Sequence, residues 1–206
     1  MIKRLFTLTI MIFILLVSSN SSFASSHHYY TSQKFSNGKT AKYVLLNLNA
    51  TDISPAMGLA NNKILAADSL QNIVNTRAIE GKKAFAAVNG TYFSAYNGVP
   101  VPYGTIIDKG KLLHIGNYGA VLGITKDKKL VIDNLNIEIT GSIDGVENQY
   151  YTWGINHPRT EPDAIMIFTP DFASSTQMPD AQNVIVRNGK VAQKNSGNTA
   201  IPSDGF

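Results

Sequence analysis

Residues 84–111, AFAAVNGTYFSAYNGVPVPYGTIIDKGK, constrain this chain more than any other stretch. They open on a short apolar run, 84–88, of the kind a buried strand shows. The run stops at Asn89-Gly90, a pair that tolerates positive φ and so signals a turn. Thr91, Tyr92 and Phe93 follow, then a second Asn-Gly at Asn97-Gly98 and two prolines, Pro100 and Pro102. After Gly104 a new apolar run at 105–107 leads into Asp108-Lys109-Gly110-Lys111, which predicts a hairpin turn. A buried strand that delivers a carboxamide and two aromatics onto a Gly/Pro-shaped loop is one way to build a ligand site. An ordinary turn with packed aromatics leaves the same pattern.

The rest of the chain reads as strands around one helix. Residues 41–48 predict a strand, and Asp68 or Ser69 caps a helix over about 69–80. In that helix Leu70, Ile73, Val74 and Ala78 share one face, read as covering a sheet, with Gly81 as C-cap and Lys82-Lys83 near its negative end. Short runs at 111–115, 120–125, 129–132, 134–143, 164–169, 184–187 and 190–192 predict further strands, the last two joined by Asn188-Gly189. A second loop, 150–162, contains the only Trp. Regular short strands with turn signals predict a β-rich α+β fold, a mixed sheet or meander with one main helix.

Composition limits what such a fold can do. At 206 residues, with 44% hydrophobic and 16% charged residues, the chain suits one ordinary domain with a real core. Lys3-Arg4, an apolar run at 5–17 and small residues at Ser22 and Ala24 predict a signal peptide over 1–24, cleaved after Ala24. The apolar run is shorter than the ~20 residues a spanning helix needs, so a stable membrane anchor is not expected. Export predicts a secreted or cell-envelope product. Removing Lys3 and Arg4 from the 18 basic residues leaves 16 against 14 acidic ones, which is no nucleic-acid signature. Absence of cysteine excludes disulfides, thiolate zinc sites and cysteine nucleophiles together, and in an exported protein it points to a bacterial product. Residues 25–39 predict a loose lead-in, with His27-His28 in a solvated tail, ahead of a domain over 40–206. No HExxH, EF-hand, Walker or dinucleotide glycine pattern occurs, so neither metal nor cofactor is expected.

The ordered series AAVNGTYF, a Pro- and Gly-bearing loop and IIDKGKL resembles the phosphodiester glycosidase domain family. That family is related to the N-acetylglucosamine-1-phosphodiester α-N-acetylglucosaminidase, the uncovering enzyme. GAVLGITKD at 119–127, Asn156-His157-Pro158-Arg159, IMIFTP at 165–170, VIVRNGKV at 184–191 and IPSDGF at 201–206 extend the resemblance in order over most of 40–206. It implies hydrolysis of a sugar-1-phosphodiester in envelope polysaccharide. Family members carry, further on, an Arg-Thr-Ala-x-Gly strand and an Asn-Leu-Asp-Gly-Gly-Gly-Ser segment, and neither occurs here. The uncovering-enzyme branch also has an acidic residue in the loop where 94–103 has none. The expectation is therefore an incomplete domain, the N-terminal part of such an enzyme, with a complementary C-terminal chain as a partner. A turn at Asp204-Gly205 with no returning strand, which leaves backbone groups unpaired, points the same way.

Splitting a glycosidic bond beside phosphate needs a general acid and a base or nucleophile, and donors for the phosphate oxygens. Asn89 has a carboxamide for a sugar hydroxyl or phosphate oxygen, and Gly90 and Thr91 offer backbone N–H groups. Tyr92 can stack on a sugar ring, and Gly104 shapes the loop. Asn156, His157 and Arg159 share the second loop; Arg159 is the best phosphate partner by its forked donors, and His157 is a proton carrier or a structural histidine. Asp108 is read as a turn residue. Glu161, Asp163 and Asp171 lie near the second loop without a paired spacing, so the catalytic acid and base are not identified. Two function classes stay open: a secreted glycosidase-type hydrolase, and a non-catalytic carbohydrate- or envelope-binding remnant of one.

Overall fold

A computed structural model describes residues 28–77, 83–96, 98–116, 118–141, 150–152, 154–159 and 164–206. The predicted signal peptide, the helix beyond Arg77 with its Gly81 cap, Asn97, the last two residues of the predicted 134–143 strand, Trp153, Glu161 and Asp163 lie outside the described residues. The chain divides into two compact units after Ser54.

The first unit holds an antiparallel hairpin of β1 (His28–Lys34) and β2 (Thr40–Leu46), in register from His28↔Leu46 to Lys34↔Thr40. The expected loose lead-in is thus largely a strand. It lacks an apolar period, but tyrosine and threonine suit a pleated ribbon, and Asn37-Gly38 turns it onto β2. The Phe35 amide donates to Lys39 O at 2.8 Å, which closes the turn, and Tyr43 Oη donates to Gln33 Oε1 at 2.7 Å.

Among its described residues the second unit is β-rich with one α-helix. Helix α1 (Leu70–Thr76) starts at Ser69, whose Oγ accepts from the Asn72 amide at 3.2 Å. Its described part closes at Thr76, with Arg77 as C-cap. Arg77 Nε donates to Met57 O at 2.7 Å, and its guanidinium meets Asp108 at 2.8 Å. Instead of covering a sheet, the helix packs on the 57–62 segment, where Ile73 lies hard against Gly58.

Strands β3 (Ile106–Asp108) and β4 (Lys111–His114) form a hairpin, as do β5 (Ala120–Ile124) with β6 (Leu130–Asn134), and β11 (Gln182–Arg187) with β12 (Lys190–Ser196). The first and last close through Lys109-Gly110 and Asn188-Gly189, both pairs at positive φ, the backbone that matches strand twist. Strand β7 (Ile139–Gly141) pairs antiparallel with β8 (Tyr150–Thr152), while β9 (Gly154–Ile155) and β10 (Met166–Ile167) are parallel. β7 and β10 are shorter than the predicted strands.

Residues 84–88 correct the reading most. They form no strand, and Val88 is 86% exposed. Three of the five residues are alanine, which brings little surface to bury and a poor preference for strands, and of the five Phe85 is half-buried.

The core lies under the β3–β4 hairpin. Ile106, Leu113, Ile64, Phe172 and Ala173 are buried together, and Met57, Leu59, Leu65, Phe168 and Ile201 pack around them. The Phe168 and Phe172 rings lie 4.7 Å apart. Backbone bonds from Ile64 to Asp171 O (2.7 Å) and from Leu65 to Phe172 O (3.1 Å) tie two distant segments across this cluster. Near the C-terminus, Thr176 bonds to Thr199, and Phe206 exchanges two backbone bonds with Val186 at 2.7 and 3.2 Å. The Phe206 groups expected to be unpaired are therefore paired.

Candidate functional site

Beyond the exposed 84–90 segment the chain forms a narrow antiparallel ribbon. Phe93 bridges Pro102, with bonds from Ser94 to Val101 O and from Tyr103 to Tyr92 O, both 2.9 Å. Thr91 closes its base: the hydroxyl accepts from the Gly104 amide at 2.8 Å and donates to Tyr92 O at 3.0 Å. A Cβ on Gly104 would stand 2.7 Å from that hydroxyl, so glycine is required there by close approach. Asn89, Gly90 and Tyr92 are exposed, with Tyr92 at 85%.

Gly104 also faces inward. Its carbonyl accepts from His114 Nδ1 at 2.9 Å, which places the proton on Nδ1 and a lone pair on Nε2. His114 ends β4, is fully buried, and its Nε2 has no hydrogen-bond partner. Burial lowers its pKa to about 4; the Gly104 bond opposes that shift and nearby His157 adds to it. The His114 and His157 rings lie 5.4 Å apart with 32° between their planes.

His157 follows β9, which lies beside β4 through a bond from Ile115 to Ile155 O at 3.4 Å. Its Nδ1 donates to Pro158 O at 2.7 Å, leaving Nε2 as the acceptor. Asn156, just before it, is fully buried at φ 52, a conformation asparagine tolerates. Its amide nitrogen donates to Leu113 O (2.7 Å) and Thr169 Oγ1 (2.8 Å), and Oδ1 accepts from the Thr169 amide (2.7 Å). All three bonds are to the framework, so this side chain holds the second loop against β4 and β10 and is not presented to a ligand. Arg159 is half-buried two residues beyond His157.

The structure therefore brings Thr91, Gly104 and His157 together through His114, a residue the sequence reading passed over. The available signal was a polar residue inside the apolar run Leu112-Leu113-His114-Ile115. Asp108 pairs with Arg77, a role beyond the predicted turn. Burial raises the Asp171 pKa, but bonds with Lys111 (2.5 Å) and Thr169 (3.0 Å) outweigh it and hold the carboxyl below its usual range. Among the described residues no group of three or more His, Cys, Asp or Glu is placed to hold a metal ion, and no helix is long and apolar enough to cross a membrane. No protein family, curated protein or solved structure matches this chain.

Proposed function

We propose that the chain is a secreted phosphodiester glycosidase-like protein of the bacterial envelope, hydrolysing the bond between an N-acetylglucosamine-type sugar and phosphate. The observation that carries this reading is the link Thr91–Gly104–His114–His157, which joins the 89–104 loop to the loop bearing Arg159. The ordered series of motifs supports it from the sequence side. In this reading Asn89 and the Gly90 and Thr91 amides donate to sugar hydroxyls or phosphate oxygens, and Tyr92 stacks on the ring. Arg159 takes the phosphate in its fork, and His157 moves a proton at Nε2. Water adds at the anomeric carbon, the bond from that carbon to the phosphate oxygen breaks, and the phosphate monoester leaves. The reading assigns the remaining acid or base to a complementary C-terminal segment, which would complete a larger mixed sheet. The exposed apolar side chains of β5 and β6 fit such a cover.

A binding remnant is favoured by a separate observation. Residues 84–107 contain no carboxylate, while Asp108 and Asp171 are engaged with Arg77 and Lys111. One assay separates the two: UDP-N-acetylglucosamine, whose anomeric carbon is joined through oxygen to a doubly substituted phosphorus, incubated with the chain and with Asn89→Ala. Release of N-acetylglucosamine that falls at least about tenfold in the variant supports the hydrolase. Saturable binding without release supports the remnant, and neither binding nor release contradicts both.

A further inference from the structure

We infer that Tyr103 and Tyr118 extend the surface of Tyr92 into an aromatic platform for an uncharged glycan chain, reaching sugar units beyond the one attached to phosphate. The Tyr103-to-Tyr92 backbone bond makes these residues direct partners across the ribbon, so their side chains leave from one face, opposite Phe93 and Pro102. The Tyr103 ring meets the Tyr118 ring edge-on, with centroids 6.2 Å apart and 62° between planes. Tyr92 and Tyr118 are 85% and 71% exposed. Large aromatic surface left in water on a hydrogen-bonded ribbon, with a phenol at each tip, suits a partner that is apolar on one face and hydroxylated at its edge.

Charge narrows the partner. No Asp, Glu, Lys or Arg occurs over 84–107 or over 112–125, the two stretches that supply the three rings. A nucleic acid or acidic peptide needs cations that these stretches lack, whereas a neutral pyranose offers C–H groups to a ring face and hydroxyls to a phenol. The support beneath is firm. Thr91 pins Gly104, His114 bonds Gly104 from the core, and a Cβ at Gly116 would stand 1.9 Å from Tyr103 O, so that backbone is closely packed. The platform rests on the phosphodiester-glycosidase reading for its role and makes a polymer, rather than a free sugar phosphate, the substrate.

The test is titration of the full chain, followed by tyrosine fluorescence, with N-acetylchitotetraose, cellotetraose and maltotetraose, and with an anionic tetragalacturonate. Tyr92→Ala, Tyr118→Ala and Tyr103→Phe are compared after their thermal transitions match the parent. The expected result is saturable binding of at least one neutral tetrasaccharide, weakened about tenfold or more by either alanine and less than about threefold by Tyr103→Phe. No binding of any neutral tetrasaccharide at about 10 mM, equal binding by the alanine variants, or preference for tetragalacturonate each overturns the platform. Glycan binding without release from UDP-N-acetylglucosamine leaves the platform standing and removes the hydrolase. Release unaffected by Tyr118→Ala, with no glycan binding, does the reverse.

Discussion

Asn156 and His114 decide the geometry of the second unit, and each can be tested alone. Asn156→Ala removes three bonds to Leu113 and Thr169, among them the side-chain partners of the Leu113 carbonyl and the Thr169 amide. We expect a loss of about 2–4 kcal/mol, read as a lower urea midpoint with an unchanged slope. His114 gives a pH dependence. Its folded pKa of about 4 lies below the ordinary 6.5, so between these values the unfolded chain binds the proton that the fold excludes. The contribution is complete above pH 6.5 and is lost as pH falls to about 4, up to about 3 kcal/mol. Thermal midpoints measured over that range should fall with acid, and His114→Asn should flatten the curve. A polar residue within LLHI was visible in the sequence. Its bond to Gly104 was not, because a contact that spans the whole β3–β4 hairpin leaves no local pattern.

At the scale of elements, local chemistry was the legible part. Asn188-Gly189 and Lys109-Gly110 were readable because positive φ at both turn positions restricts residue choice. Ser69 was readable because a hydroxyl that receives an N-terminal amide is a local device. Removing it with Ser69→Ala should cost about 1 kcal/mol, seen as faster amide exchange at Asn72 and Ile73. Residues 84–88 were misread because a short apolar run shows that burial would be favourable, not that a partner is present. β1 was missed for the converse reason: its backbone pairs with β2 without an apolar face to announce it.

At the scale of the molecule, β5 and β6 present Leu122, Ile124, Leu130 and Ile132 on one side of a two-stranded ribbon, and Ile132 is 74% exposed. Such a face is associative. Ile132→Lys should change stability by less than about 0.5 kcal/mol and reduce concentration-dependent self-association in sedimentation velocity. The β-rich class with one helix followed from turn spacing and the single amphipathic run. The site did not, because its two loops meet through β4 beside β9, a contact between strands 40 residues apart in the chain that sequence periodicity cannot register.

Residues 89–104 and 154–159 are proposed to form one ligand surface, coupled through His114. Amide hydrogen exchange of the full chain with and without UDP-N-acetylglucosamine tests it most directly. Protection of both loops together, lost from both in Asn89→Ala, is the predicted result. Protection of neither loop, or of one without the other, would contradict it.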